Sequence, residues 1–191
     1  MSWRPRQRMD RIEVDAADAE TLGGLERRRL GDALAADHVA VNHYHVAPDE
    51  RLAGLHAHAH QAEVFVVLDG AATFETLTGR VEVADGEVVR FPPGEFQSCH
   101  NTSDEEAVVL ALGAPPDSED VRVPVACPDC GADEHRLTFT DGEEGLVCPG
   151  CGAETAPACP DCGSGDLRVV LDDEDAPVER CRDCGATRPA R

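Results

Sequence analysis

The sequence contains no lysine and few aromatic residues. All 17 basic residues are arginine, 38 residues are aspartate or glutamate, and the formal net charge is −21. This composition is typical of proteins from a cytosol that is molar in salt, where a Debye length of about 3 Å lets carboxylates crowd together with little repulsion. We therefore interpret the acidity as a halophilic adaptation to the solvent, and it does not indicate a cationic substrate.

Long apolar runs are also missing. No stretch approaches the roughly 18 apolar residues of a membrane span. Residues 1–14 (MSWRPRQRMDRIEV) lack the apolar core of a signal peptide, and Met9 is an alternative start to Met1. We expect a cytoplasmic protein with no membrane partner. In that compartment the nine cysteines indicate metal binding before disulfides.

The composition changes along the chain and predicts five parts. These are an N-terminal extension (1–37), a strand-rich barrel (38–113), an acidic, proline-rich linker (114–124) and two cysteine-rich modules (125–153 and 157–187). Within the extension, Asp15 is a candidate N-cap of one short helix that Gly23 and Gly24 would end.

The strand-rich part consists of short apolar segments with turn signals between them. Asp69-Gly70, Thr78-Gly79 and Asp85-Gly86 separate consecutive segments, and no long helical pattern intervenes. The predicted strands are HVAVNHYHV, GLHAHAH, EVFVVLD, AATFETL, RVEVA, EVVRF, EFQSC and AVVLALG. The pattern predicts an all-β barrel or sandwich, and it argues against an acidic disordered chain.

The segment GLHAHAHQAEVFVVLDG (54–70) carries the most distinctive chemistry. His56, His58 and His60 stand at every second position, so on a strand they share one face, and Glu63 follows shortly after. Two imidazoles and a carboxylate suit a divalent transition metal such as Fe, Mn, Ni or Zn. The alternative is a pocket in which His56 and His58 only form hydrogen bonds.

These residues resemble the cupin family. Its first motif has two histidines one residue apart, then a glutamate and a glycine, as in His56, His58, Glu63 and Gly70. Its second motif is matched within GEVVRFPPGEFQSCHN by Gly86, Pro92, Gly94 and Asn101. The resemblance covers residues 38–113 and implies an all-β cupin barrel (a double-stranded β-helix) with a metal or ligand site inside.

The sequence departs from the cupin motifs at two positions. Glu50 stands where a glycine usually precedes the first motif, and Gln97 replaces the usual histidine of the second. The resemblance implies His56, His58 and Glu63 as metal ligands, with open positions for water or substrate. A glutamine carbonyl is a weaker ligand than imidazole and cannot act as a base, so Gln97 would complete or tune the site.

Other side chains are candidates for the pocket. His60 continues the histidine face near a turn, where a rim position or plain solvation is expected. Cys99 should share the inward direction of Gln97, although a lone cysteine is more often a small buried residue. His43 and His45 either line the barrel or lie half exposed on an outer strand. His100 could replace Gln97 as a ligand only if a bulge shifted the alternation.

The last part of the chain repeats a cysteine knuckle four times. Each module has two knuckles, CPDCG and CPGCG in the first, CPDCG and CRDCG in the second, with a plausible hairpin between them. Both resemble zinc ribbons, which implies two structural zinc sites: Cys127, Cys130, Cys148 and Cys151 in ribbon 1, and Cys159, Cys162, Cys181 and Cys184 in ribbon 2.

The cysteine pairing has two alternatives. Cys148, Cys151, Cys159 and Cys162 could share one ion across the short gap between the modules, which would leave the outer pairs as a distant site. Disulfides are the other alternative. A closed four-thiolate site has no open position, so a zinc ion held there would be structural.

Two functions remain open from the sequence. One is a metal-dependent cupin enzyme, such as a dioxygenase or isomerase, that acts on a small-molecule ligand. The other is a binding or regulatory module that senses a metal or metabolite and acts through the ribbons on a protein partner. We expect a homodimer through barrel edge strands. The acidic ribbons lack a basic stripe with interleaved aromatics, so a nucleic-acid partner is not expected.

Overall fold

The computed structural model describes residues 9–22, 24–140 and 143–190, and most of its regular structure is β. Residues 1–8, Gly23, residues 141–142 and Arg191 lie outside the described residues. The strands are β1 (Ala19–Leu22), β2 (Leu25–Arg29), β3 (Ala40–Val46), β4 (Ala57–His58), β5 (Ala62–Asp69), β6 (Ala71–Thr76), β7 (Gly79–Ala84), β8 (Val88–Phe91), β9 (Ser98–His100), β10 (Ala107–Ala114), β11 (Val121–Val123), β12 (His135–Thr140), β13 (Glu143–Val147), β14 (Glu154–Thr155), β15 (Leu167–Leu171), β16 (Pro177–Cys181) and β17 (Thr187–Pro189).

Helical structure is confined to two short segments of the described chain. A 3-10 turn covers Val14–Ala16, and α1 covers Leu30–Ala33. Neither is long and apolar enough to cross a membrane.

Two antiparallel sheets form the barrel. The larger has the order β1-β2-β3-β10-β5-β8, and the smaller has the order β7-β6-β9. β10 lies between β3 and β5, and its residues alternate in burial, with Ala107, Val109 and Ala111 inside. This period of two is what a strand with one face on a core requires. The predicted all-β barrel is confirmed.

Three phenylalanines fill the barrel core next to the strand that carries Glu63. The ring centroid of Phe65 lies 5.1 Å from that of Phe74 and 6.0 Å from that of Phe91. Val67 and Val109 are fully buried beside them. Burial of each such side chain contributes about 1.5–3 kcal/mol, so this cluster fixes β5 and with it the position of Glu63.

The helix predicted after Asp15 is wrong. The segment forms an antiparallel hairpin of β1 and β2, and β2 pairs with β3 in the larger sheet. Arg27 of β2 forms an ion pair with Glu20 of β1 across the hairpin. A short helix interrupted by glycine has little intrinsic stability, and pairing with a ready sheet edge outweighs it. The N-terminal extension thus contributes two strands to the barrel sheet.

Ribbon 1 is continuous with the barrel through main-chain pairing. The end of the linker forms β11, which pairs on one side with β12 of ribbon 1 and on the other with β4 of the barrel. In the second pairing Val121 lies opposite His58, and Arg122 opposite Ala57. The resulting sheet has the order β14-β13-β12-β11-β4.

Ribbon 2, built from β15, β16 and β17, also contacts the barrel directly. The amide of Leu55 donates to the carbonyl of Val169 at 2.7 Å. Leu55 packs with Val169, Leu171 and Val125 in a second hydrophobic cluster. A Cβ on Gly54 would lie 2.9 Å from the Val169 oxygen, so the close approach of the two main chains requires glycine there.

Arg80 on β7 provides a polar contact between the barrel and ribbon 2. Its guanidinium donates to the carbonyl of Asp172 at 2.8 Å and pairs with Asp175. The same guanidinium lies 3.2 Å from the buried carboxylate of Glu75. Both ribbons therefore contact the barrel directly, in addition to being connected to it in sequence.

Candidate functional site

The backbone register places His56 beside Gln97 at the barrel mouth. The His56 amide donates to the Gln97 carbonyl at 3.0 Å, and the Gln97 amide donates to the His56 carbonyl at 2.8 Å. Residues directly opposite in such an antiparallel pair project their side chains to the same face. The two cupin motifs therefore meet at this bridge, although they are far apart in sequence.

Four of the predicted ligands lie together in the barrel. One donor atom each of His56, His58 and Glu63 falls within 4.8 Å of the others. Nε2 of His58 is 3.5 Å from a carboxylate oxygen of Glu63. The side-chain amide of Gln97 donates to the other Glu63 oxygen at 2.8 Å and lies 3.3 Å from Nε2 of His56.

The other ring nitrogen of each histidine has its own partner. Nδ1 of His56 is 2.9 Å from the Gly54 carbonyl, and because a carbonyl only accepts, Nδ1 carries the proton. Nδ1 of His58 is 2.9 Å from the hydroxyl of Ser118 in the linker. Such partners orient the rings and leave both Nε2 atoms directed at the cluster, which is the usual arrangement of metal-ligating histidines.

Burial shifts the pKa values of all three groups toward their neutral forms. Burial and the neighbouring His56 lower the pKa of His58 to about 4, and burial also lowers the pKa of His56, against the hydrogen bond to Gly54. Burial raises the pKa of Glu63 to about 7, although the hydrogen bond from Gln97 opposes this. Near neutral pH both imidazoles have free lone pairs, the form in which a metal binds them.

The cluster faces a barrel cavity of about 340 Å³ that both polar and apolar side chains line. Asn42, Tyr44, Gln61 and Arg27 line it, and none of these was predicted from the sequence. Asn42 and Tyr44 alternate with His43 and His45 on β3, so the alternation itself shows that only one of the two pairs faces inward. Ser118 and Gln61 are held at the cavity by contacts with residues far away in the sequence, so no local pattern could predict them.

Of the four remaining pocket candidates, one lines the cavity and three do not. Cys99 lines the cavity, and burial raises the pKa of its thiol to about 12. His60 is exposed. Among the described residues, His43 and His45 do not line the barrel cavity. Their ring centroids lie 5.1 Å apart. His43 is buried and His45 pairs with Glu106, so the half-exposed position expected for the pair holds for His45 alone.

His100 also lies outside the cluster. It is on β9, where it pairs with Thr73 of β6. Among the described residues, the group of possible metal ligands in the barrel consists of His56, His58 and Glu63. β9 pairs with β6 in unbroken register from Ser98 to His100. The barrel site therefore gathers Gln97, and not His100, beside the histidines.

The eight predicted zinc ligands form two groups with the predicted membership. Cys127, Cys130, Cys148 and Cys151 form one group, and Cys159, Cys162, Cys181 and Cys184 form the other. Sulfur–sulfur distances are 3.8 and 3.5 Å in ribbon 1, and 3.6 Å for both pairs in ribbon 2. Four thiolates at about 2.3 Å from one ion are about 3.8 Å apart, whereas a disulfide would bring two sulfurs to about 2.05 Å. The alternative group across the two modules is not formed.

The four knuckles share one backbone geometry. The glycine that follows each second cysteine has φ between +75° and +78°, and its amide donates to the carbonyl of the first cysteine. This left-handed conformation explains why every knuckle ends in glycine. Hydrogen bonds from the amides of Cys151 and Gly150 lower the pKa of Cys148 to about 6, against the effect of burial. The knuckle thus favours the thiolate at Cys148, whereas the pKa of Cys151 is raised to about 12, because the hydrogen bond from the Ala153 amide is outweighed by the contacts with Cys130 and Cys148.

Comparison with known proteins agrees with this geometry. Residues 42–113 match the family profile described as a cupin domain. The chain carries a cupin domain. The cupin match runs from within β3 to most of β10 and includes every residue of the barrel cluster, while both ribbons lie beyond it. No curated protein matches the sequence.

Solved structures show the same cupin fold. A sugar phosphate isomerase of the cupin superfamily from Silicibacter pomeroyi is 19% identical, with a TM-score of 0.59 over 77% of this chain and 98% of that one. The polyketide cyclase RemF from Streptomyces resistomycificus is 22% identical, with a TM-score of 0.55 over 64% and 89%. A predicted oxalate decarboxylase from Thermotoga maritima is 20% identical, with a TM-score of 0.50 over 56% and 99%. These likenesses establish the fold.

Proposed function

We propose that the cupin domain binds a divalent transition metal, Fe, Mn, Ni or Zn, through His56, His58 and Glu63, and a small molecule in the adjoining cavity. The observation that carries this proposal is the convergence of the three donors, with a partner at Nδ1 of each histidine and both Nε2 atoms facing the cluster. When bound, the metal supplies a Lewis acid or a centre that activates oxygen.

Gln97 is proposed as a fourth, weaker ligand. Its amide group now donates to Glu63 and faces His56, so it occupies the side of the cluster where the cupin motif usually has a histidine. Rotation of the amide by half a turn places its carbonyl oxygen where the nitrogen now lies, facing His56 and Glu63. Nitrogen and oxygen of such a group exchange places without any change in packing.

Three cavity side chains are proposed to hold the small molecule. Asn42 offers an amide group and Tyr44 a hydroxyl, while Gln61 offers the oxygen of an amide whose nitrogen donates to the Pro115 carbonyl. Burial raises the pKa of Tyr44, against the effect of Arg27, so the hydroxyl stays protonated and can donate a hydrogen bond. The reaction is unassigned. The similar structures include an isomerase, a cyclase and a predicted decarboxylase, and a metal-dependent enzyme such as an isomerase or dioxygenase fits the same site.

The ribbons are proposed to hold one structural zinc ion each. Their sulfur geometry matches a closed tetrahedral site, and modules this small depend on the ion for their folding energy.

Metal analysis of the purified protein in molar salt tests these proposals together. We expect two equivalents of tightly held zinc and a third, exchangeable ion after incubation with Mn(II), Fe(II), Ni(II) or Zn(II). Glu63→Gln should lose the third ion and keep both zinc ions. Wild-type protein that binds only two equivalents under all four conditions would contradict the barrel site.

A second candidate function is a sensor that acts through the ribbons on a protein partner. It is supported by the continuity of the sheet from β4, which carries His58, into ribbon 1. A partner that binds the metal-loaded chain and not the metal-free barrel, in the absence of turnover of any small molecule, would favour the sensor over the enzyme.

A further inference from the structure

A second cavity lies between the barrel and the two ribbons and shares part of its lining with the barrel cavity. This outer cavity has a volume of about 590 Å³, compared with about 340 Å³ for the barrel cavity. Arg27, Leu52, Ala53, His56 and His58 line both. The histidine pair therefore belongs to the walls of both spaces.

The walls of the two cavities differ in chemistry. The barrel cavity presents the histidines, Glu63 and the polar groups of β3, whereas the outer cavity is walled largely by aliphatic side chains. The aliphatic residues from β11 and the ribbons are Val121, Val123, Val125, Leu137, Leu146, Leu167 and Val169. Phe139 stands at the rim with 72% of its surface exposed.

The unpaired charges around the outer cavity are balanced. Asp166 pairs with Arg182 and Glu179 pairs with Arg188, so neither carboxylate is free. The half-buried guanidinium of Arg168 and the carboxylate of Glu144 form no ion pair within the part of the chain that the structure describes, so one unpaired charge of each sign faces this cavity. Arg27 at the junction is paired with Glu20 from the far side.

We propose that the two cavities form one composite site for an amphipathic small molecule. Its anionic oxygen head, such as a carboxylate, binds at the His56–His58–Glu63 cluster. Its apolar tail lies against the aliphatic residues that β11 and the ribbons contribute to the outer cavity, which we call the ribbon wall. This inference rests on the proposed metal binding in the barrel. It gives the ribbons a direct part in ligand recognition, since their zinc ions shape the wall that the tail contacts.

Straight-chain carboxylates from acetate to octanoate test the composite site. The protein is loaded with Mn(II), which prefers oxygen and nitrogen ligands over thiolates, and each acid is titrated by calorimetry in molar salt. The dissociation constant should fall about three- to fourfold for each added methylene group that reaches the apolar wall. Acetate should change the paramagnetic resonance spectrum of the bound Mn(II), because the head contacts the ion.

Variants of the ribbon wall separate this inference from its premise. Phe139→Asp and Leu137→Ala should flatten the dependence on chain length and leave acetate binding and Mn(II) affinity unchanged. Leu77→Asp, at an exposed apolar position in the turn between β6 and β7, is the matched control and should keep the full dependence. Absence of Mn(II) binding would overturn the premise, whereas acetate binding without chain-length dependence would overturn the composite site alone.

Discussion

The hydroxyl of Ser118 lies 2.9 Å from Nδ1 of His58, although Ser118 belongs to the linker and His58 to the barrel. The linker strand that follows Ser118 pairs with the strand of His58 on one side and with ribbon 1 on the other. The barrel cluster therefore depends on residues outside the cupin domain for the orientation of one of its rings.

Ser118→Ala should weaken metal binding in the barrel. Loss of an outer partner of a ligating histidine costs roughly 10- to 100-fold in metal affinity, since the ring is no longer held. The measurement is the Mn(II) dissociation constant by paramagnetic resonance. Ser118→Thr keeps the hydroxyl and should restore most of the affinity, and Glu119→Gln in the same linker should have no effect. Equal affinities in wild type and Ser118→Ala would show that the contact does not orient the ring.

Glu75 should make the fold sensitive to acid. Burial raises the pKa of its carboxyl, but hydrogen bonds and charges from Arg51 and Arg80 outweigh this and hold the pKa below its usual value. A carboxyl with a lowered pKa stabilises the folded state above its unfolded pKa, and this contribution is lost as the pH falls through the folded pKa. Glu75→Gln should lower the free energy of unfolding by about 3–5 kcal/mol at pH 7, because both arginines lose a buried partner.

Urea unfolding from pH 7 down to pH 3 measures this effect. The difference between wild type and Glu75→Gln should shrink as the pH falls below the ordinary range of glutamate. Glu82→Gln, at an exposed position on β7, should match wild type throughout. A difference that stays constant with pH would mean that the carboxylate charge contributes nothing.

The zinc sites should be separable by single cysteine substitutions. Cys127→Ser removes one of the four zinc ligands of ribbon 1. It should lower the zinc content from about two equivalents to about one, because the three remaining thiolates bind zinc more weakly. Cys99→Ser changes the cysteine that lies in the barrel, and it should keep both equivalents. Retention of two zinc ions by Cys127→Ser would contradict the assignment of the ribbon 1 site.

Exposed apolar residues on the edge strands support the expected homodimer. Val81 on β7 is 47% exposed and Val88 on β8 is 63% exposed, and both strands stand at the ends of their sheets. Val88→Asp should convert the dimer to a monomer in light scattering at molar salt, whereas Phe139→Asp on ribbon 1 should not. A monomeric wild-type protein in the same measurement would refute the dimer.

Much of the barrel could be predicted because its signals are local. The alternation of apolar residues and the turn dipeptides predict β5, β6 and β10 close to their observed bounds. The spacing of His56, His58 and Glu63 and the repeated knuckles likewise need only short stretches of sequence. In each case the residues that form the structure or site are near one another in the chain, or belong to a motif with a fixed order.

The parts that could not be predicted depend on contacts between distant segments. Pairing of β11 with β4 joins the linker to the barrel, and the sequence of a three-residue strand does not specify that partner. The hairpin of β1 and β2 is stabilised by the neighbouring edge of β3, so local helix propensity gave the wrong structure. The inward direction of Tyr44 and not of His45 on β3 likewise has no local signal in the sequence.

The coordination of Mn(II) in the barrel tests the central claim most directly. Electron spin echo modulation of bound Mn(II) counts the nitrogen atoms that are directly coordinated. We predict two imidazole nitrogens in the zinc-loaded wild-type protein and one in His56→Ala or His58→Ala. Bound Mn(II) without any coordinated nitrogen, or with the same two in either variant, would contradict the proposed site.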